Sequence, residues 1–357
     1  MQIESGFLMP QRQYTIFMIG AGGIVEAAHL PAYRKAGWEV GGIYDLQADR
    51  ARLLAEMFSI PAVFETLPAL VTAAGAGVVF DVAVPATELP GVIRQLPDGA
   101  TVLMQKPMGT TIAEAQLIRD LCREKKLLAA VNFQMKFIPA MIAARNLIAS
   151  GAIGTLHDME IRMNIYHPWH LWKFLYGIPR MEMLYHSIHY VDMLKSFFGL
   201  PQKVYARTLK HPLMKELAST RSVILLDYGD LIKAHINTNH GHDFGLKHQE
   251  SFVKFEGTAG AIKTTLGLNI DYPNGVPDSF EYVIREEGKD PEWKSVTFPG
   301  QWFPDAFIAS MAELLCYAEG SSDKLMNHFE NAYQTMAIVE AAYQSNETGG
   351  TTVAYQQ

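Results

Sequence analysis

Lys106 and His189 are the side chains of this chain best suited to moving a proton. Lys106 follows the apolar stretch Thr101–Met104 after one residue, and Pro107 fixes the backbone just beyond it. A lysine at a strand end beside a partly dry pocket can hold a substrate hydroxyl and tune its acidity. His189 lies on an expected helix, Met181–Phe198, where Tyr185, Ile188, His189 and Asp192 share one face by their spacing. A neutral imidazole near pH 7 accepts the proton of an alcohol as hydride leaves its carbon. Asp192 or Tyr185 is placed to fix the imidazole tautomer, and His186 lies one turn behind. Each residue also has a plainer reading, as a lysine reaching out of a loop or a histidine satisfied in a core.

Two further segments carry chemistry-bearing side chains. Tyr166-His167-Pro168-Trp169-His170-Leu171-Trp172-Lys173, with Arg180 soon after, suits substrate recognition. Aromatic faces stack on the C–H surfaces of sugars, and arginine forks onto carboxylates. Trp169, Trp172 and Arg180 are therefore binding candidates, although tryptophans packing an interdomain seam would read the same way. Asn239-His240-Gly241-His242-Asp243, with His248, is metal-capable. Its spacing fits no regular zinc pattern and thiolates are absent. A hairpin loop and no metal are expected there.

The elements that would position this chemistry begin at residue 14, with YTIFMIGAGGIVEAAHLPAYRKAGWEVGGIYD. An apolar strand enters a glycine turn, a helix follows, and a second strand ends on an acid. Gly20 and Gly22, with Gly23 and Ile24, allow a tight turn and let the backbone approach a pyrophosphate at a helix N-terminus. Asp45 is positioned to accept hydrogen bonds from both hydroxyls of an adenosine ribose. Its carboxylate would repel the 2′-phosphate of NADP, and Leu46 and Gln47 offer no cation, so NAD is favoured over NADP. Val25 stands where the fingerprint has Gly or Ala, and its branch is expected to hold the helix slightly off the sheet.

From 14 to about 134 strand and helix alternate, which demands a parallel, doubly wound sheet. Val78–Val84 is a nearly continuous apolar run, as in a strand buried on both faces. Val84 and Pro85 close it at the carboxyl edge, where ligands sit, and Gln105 and Lys106 end the next strand. A short strand at Ala62–Phe64 and another at Leu128–Phe133 complete the pattern. Beyond about 155 the period changes to two, with Met159, Ile161, Met163 and Ile165 alternating with polar neighbours. Strands then recur through residue 298, and the turns at Tyr228-Gly229-Asp230 and Gly257-Thr258-Ala259-Gly260 suit hairpins. Two helices, Asp305–Ala318 and Phe329–Ser345, finish the chain. The expected fold class is α/β plus α+β. Residues 1–13 are a disordered tail, 14–134 a Rossmann domain, and 135–357 a substrate and oligomerisation domain with an open, mostly antiparallel sheet.

Composition narrows the function. With 357 residues, 49% hydrophobic and a formal charge of −7, the chain has no electrostatic footprint for nucleic acid or an anionic membrane. Its two cysteines suit a reducing compartment. The start has no basic segment leading into an apolar core, and the longest uncharged run is too short and interrupted to span a bilayer. A cytoplasmic protein is expected.

With these residues laid out, the chain resembles the glucose–fructose oxidoreductase/inositol dehydrogenase/rhizopine-catabolism (MocA) family from about Tyr14 to the last helix. The family motifs read here as GAGGIVEAAHLP, Asp45, Gln105-Lys106-Pro107 and His189-Tyr190-Val191-Asp192. The resemblance implies a Rossmann domain followed by an α/β domain with a large open sheet. It also implies NAD or NADP, a sugar or cyclitol carbinol as substrate, and dimers or tetramers formed through the sheet. By that resemblance Lys106 is the catalytic lysine and His189 the general base, and Gln134 and Lys136 line the substrate site. Three departures stand out: Gln105 replaces a glutamate, Tyr185 stands where many members have an aspartate, and His186 and Ser187 replace small and apolar residues. Two other readings follow from these departures and from the range of the family: a cofactor-binding ligand sensor without chemistry, and an oxidoreductase for a non-sugar substrate.

Overall fold

The computed structural model describes residues 3–75 and 77–351. The chain divides into two compact units, residues 1–147 with 298–336, and residues 148–297 with 337–357.

The first unit holds a wholly parallel sheet in the order β2-β1-β3-β4-β5. Its strands are β1 Thr15–Ile19, β2 Glu39–Tyr44, β3 Val78–Val82, β4 Thr101–Met104 and β5 Leu128–Val131. All but β2 are buried after their first residue, because helices cover both faces and apolar side chains therefore suit every position. The helices are α1 Leu30–Ala36, α2 Ala48–Phe58, α3 Leu67–Ala73, α4 Leu89–Gln95 and α5 Ile112–Glu124. Two start on threonine caps: Thr66 Oγ1 accepts from Ala69 N, and Thr111 Oγ1 from Glu114 N. The strand expected at Ala62–Phe64 is a single bridge, Ile43 to Val63.

Two stretches join this unit that sequence order alone does not assign to it. Helix α6, Pro139–Ala149, is too uniformly apolar to show a clear helical stripe, and most of it falls here. The segment 298–336 returns to the first unit and includes an apolar helix, Phe307–Glu319. Its Phe307, Met311, Leu314 and Leu315 share a core with Ile16, Met18, Val79, Leu103 and Ala130. Residues of the N-terminal stretch bond to the first unit. The Glu319 carboxylate accepts from Gln11 N at 2.9 Å and Arg12 N at 3.0 Å, and Asn146 donates to Glu4 O.

The second unit holds an eight-stranded sheet in which every neighbouring pair is antiparallel except one. In chain order the strands are β6 Leu156–Asn164, β7 Lys203–Leu209, β8 Arg221–Asp227, β9 Lys233–Asn239, β10 Glu250–Gly257, β11 Gly260–Thr265, β12 Ser279–Ile284 and β13 Lys294–Val296. The spatial order is β13-β12-β11-β10-β6-β9-β8-β7, and β6 runs parallel to β9. Met159, Ile161 and Met163 of β6 are buried while Glu160, Arg162 and Asn164 are half-buried, as period-two patterning demands. Helix α7, Ile188–Phe198, packs on the sheet, with Phe197 edge-on to Phe255 at 5.0 Å. The expected hairpin at 239–248 is not one. β10 pairs with β6, so this connection crosses the end of β6 instead of returning beside β9.

Candidate active site

In the first unit the strand order reverses between β1 and β3, and a crevice at the carboxyl ends of these strands is where doubly wound sheets take ligands. Gly20 follows β1 with φ +113°, and its N–H donates to Tyr44 O at 2.7 Å. A Cβ there would lie 2.4 Å from Ala83 O, so only glycine fits. At Gly22 and Gly23 an added Cβ would meet nothing within 4 Å. Backbone is therefore presented to open space at the positions a pyrophosphate needs, and the residues present fit a dinucleotide.

Val25 is fully buried, and the turn it opens, Val25–His29, is π-helical, a wider winding than an α turn. That turn delivers His29 to the interior. Its Nδ1 lies 2.6 Å from Asp81 Oδ2, Tyr33 OH donates to the same oxygen, and Phe307 stacks edge-on. The His-Leu-Pro motif thus locks the first helix to β3. Asp81, hidden in an apolar run, gave no signal in the sequence.

Asp45 sits just past β2 and points back at the glycine turn. Its Oδ2 accepts from Ala21 N at 2.6 Å and its Oδ1 from Gln47 N at 2.7 Å. Arg50 also reaches the turn, donating to Ala21 O at 2.9 Å, and its Nη2 lies 3.6 Å from Glu26. Beyond β3, Val84 leads into Pro85, which begins a 3-10 turn, Ala86–Glu88. Gln105 N donates to Val82 O at 2.8 Å, and Gln105 Oε1 accepts from Lys106 N at 3.2 Å. Lys106 thus emerges from β4 at the same edge, and burial lowers its pKa to about 8. Gln134 and Lys136 form a buried 3-10 turn after β5. Lys136 Nζ donates to Met326 O at 3.4 Å and lies near Glu313.

In the second unit the helix expected from Met181 begins with a π turn, Glu182–Ser187, and becomes α-helical only at Ile188. Tyr185 meets Phe174 edge-on and packs, like Trp172 and Ile178, against the buried cluster of Trp169, Leu175, Met181 and Leu217. His189 is buried, and Asp192 lies 3.7 Å from Lys195 Nζ. Arg180 does not stand open for a substrate carboxylate. It forks onto Glu340 at 2.6 and 3.1 Å and lies over the Tyr343 ring. Trp169 is buried with Leu175, Met181 and Leu217, whereas Trp172 is half-buried and stacks flat on His167 at 4.9 Å.

One grouping escaped the sequence reading. The parallel pairing of β6 and β9 continues past their ends: Ile165 N donates to Asn239 O, and His167 N to His240 O. His167 and His240 are thereby held side by side, and the π turn adds His186, with ring centroids 5.2 Å from His167 and 4.2 Å from His240. Beneath them Glu182 is fully buried, accepting from Ser187 Oγ at 2.6 Å and lying 3.1 Å from His240 Nε2. Burial alone would raise its pKa, but contacts with His240, Ser187 and Ser222 outweigh this and hold it below the usual carboxylate range.

These features define a dinucleotide-binding α/β protein with an appended antiparallel sheet. Residues 14–133 match the oxidoreductase family with an NAD-binding Rossmann fold, and 145–354 match that family's C-terminal alpha/beta domain. The chain belongs to this glucose–fructose oxidoreductase/inositol dehydrogenase/MocA family. It is 24% identical over 316 residues to a dTDP-3,4-didehydro-2,6-dideoxy-alpha-D-glucose 3-reductase of Streptomyces violaceoruber, covering 87% of this chain and 88% of the relative. It is 26% identical over 262 residues to scyllo-inositol 2-dehydrogenase (NADP+) of Bacillus subtilis, covering 70% and 71%. A match at 27% identity to an uncharacterized oxidoreductase of Escherichia coli takes in 55% of this chain and 61% of that one. Levoglucosan dehydrogenase, solved with NADH and levoglucosan, shares the fold with a TM-score of 0.75 at 16% identity, over 94% of this chain and 98% of that one. No described helix is long and apolar enough to cross a membrane.

Proposed function

We propose that this oxidoreductase is an NAD-dependent enzyme that interconverts a carbinol and a carbonyl on a sugar, sugar acid or cyclitol. The observation that carries the reading is Lys106, drawn down to about 8 by burial at the ligand edge of the parallel sheet. An ammonium so poised is matched to a substrate oxygen whose charge changes during reaction near neutral pH. Relatives named for a dideoxyglucose derivative and for scyllo-inositol support the substrate class.

Gly20, Gly22, Gly23 and Ile24 would hold the pyrophosphate, Asp45 the adenosine ribose, and Val84, Pro85 and Gln105 the nicotinamide end. A bound nicotinamide supplies or accepts the hydride. Lys106 binds and polarises the reacting oxygen. His189 takes its proton in oxidation and returns it in reduction, with Tyr185 and Asp192 as supporting groups. Gln134, Lys136, Trp172 and His186 remain candidates for substrate contacts. The apolar residues Tyr205, Val223 and Leu225 are exposed on one face of β7 and β8 and suit self-association.

The relatives' names include both NADP+ and NADH. Here Asp45 favours NAD, and Arg50 is already engaged by Ala21 O and faces Glu26. The test is absorbance at the nicotinamide band across polyols, aldoses, uronates, inositols and a dihydrodiol, with both coenzymes. Lys106→Ala is expected to lose about 10²–10⁴-fold in turnover with NAD affinity unchanged. Asp45→Ser is expected to weaken NAD about tenfold or more and to narrow the preference over NADP. Coenzyme binding with no turnover on any substrate would favour a ligand sensor, and full activity of Lys106→Ala would remove the assigned chemistry.

A further inference from the structure

We infer that His167, His186 and His240 form a binding site for a divalent transition-metal cation of the zinc class. One ligand-capable atom from each histidine lies within 4.8 Å of those of the other two. In a zinc site with Zn–N bonds of about 2.0–2.1 Å, three such nitrogens lie roughly 3.5 Å apart, so imidazole movements of about an ångström or less close the set. The histidines come from three segments: the end of β6, the π turn before α7, and the end of β9.

The second, independent observation is the state of His240. It is fully buried, its Nε2 faces the carboxylate of Glu182, and its Nδ1 is buried with no hydrogen-bond partner. Glu182 Oε1 accepts from Ser187 Oγ and meets Nε2 as an acceptor, so the proton of a neutral His240 belongs on Nε2 and a lone pair on Nδ1. A carboxylate fixing the tautomer of a metal-binding imidazole is the usual outer support of such ligands. Ser187 Oγ donates to the same Glu182 oxygen and holds it in place. Around the histidines Trp169, Trp172 and Tyr272 supply aromatic walls. Three imidazoles without thiolates suit Zn²⁺, and also Co²⁺, Ni²⁺ or Cu²⁺, ahead of the oxygen-seeking Mg²⁺ and Ca²⁺.

This inference does not depend on the reaction proposed above, and its test needs no substrate. Full-length protein stripped with chelator is titrated with Zn²⁺ by calorimetry and with Co²⁺ by visible absorbance, whose d–d bands report nitrogen ligation. One equivalent per chain with Kd tighter than about 10 μM is expected, together with a metal-dependent rise in thermal midpoint. His186→Ala, at the least buried of the three, should lose that binding by about 100-fold, and His167→Ala and His240→Ala likewise. Glu182→Gln should weaken it about 10–100-fold. Circular dichroism checks each fold. If the two more buried variants fail to fold, wild type and His186→Ala decide the matter. Substoichiometric uptake by wild type, or unchanged affinity in His186→Ala, overturns the assignment and leaves a packed aromatic cluster.

Discussion

The turn after β1 in the first unit meets its surroundings with backbone, whereas the ends of β6 and β9 in the second meet theirs with imidazole and indole rings. Gly20 permits a close backbone approach and Gly22 and Gly23 leave space, so this region offers main-chain N–H groups and room. The histidine region works by side chains braced from below, with Glu182 fixing His240 and Ser187 fixing Glu182. A backbone-built site fails when bulk is added. A side-chain-built site fails when a brace is taken away.

The largest expected effect tests the first half of that contrast. Gly20→Ala would drive Cβ against Ala83 O at a φ of +113°, and the atoms it meets are Ala83 backbone, not a side chain that can swing aside. A loss of roughly 3 kcal/mol or more is expected, read as a large drop in the urea midpoint. Gly22→Ala adds the same methyl to open space and should change stability by under about 0.5 kcal/mol, yet weaken coenzyme binding. Equal destabilisation by both substitutions would erase the distinction.

Next in size is removal of the brace. Glu182→Ala leaves His240 Nε2 and the Ser187 hydroxyl without their buried acceptor and should cost about 1–3 kcal/mol, measured by chemical denaturation. Glu182→Gln retains an acceptor for Nε2 and should cost clearly less. If the alanine variant is as stable as wild type, the carboxylate is not what organises this region.

The same contrast explains what could be read from the sequence. Gly20, Gly22 and Asp45 stand within one strand–turn–helix–strand, and each answers a local backbone demand, so their spacing carries the information. His167, His186 and His240 meet only because β6 pairs with β9, a long-range choice that no window of sequence contains. The same limit hid the partner of Arg180, since Glu340 lies 160 residues away. It also hid the return of Phe307–Glu319 to the first core. The π turn Glu182–Ser187 is not legible either, because four residues close nearly one full turn in both windings.

The smallest expected effect concerns Lys106, a candidate catalytic group whose burial works against the fold. Its pKa is lowered from 10.5 to about 8, so holding it charged inside the protein costs stability. Below about pH 8 both folded and unfolded chains carry the proton, and the full cost is present. Between about 8 and 10.5 the folded lysine has released its proton while the unfolded one keeps it, so wild-type stability rises with pH. Lys106→Met removes the charge and keeps the apolar stem. At pH 7 it should melt about 2–4 °C higher than wild type while losing turnover, and the gain should fade as pH climbs toward 10. A constant difference across that range would mean that packing and not charge separates the two proteins. A lower midpoint at pH 7 would mean that Lys106 is held by contacts worth more than its desolvation. In either case the stability that the first unit gives up at its ligand edge would have to be sought in another residue.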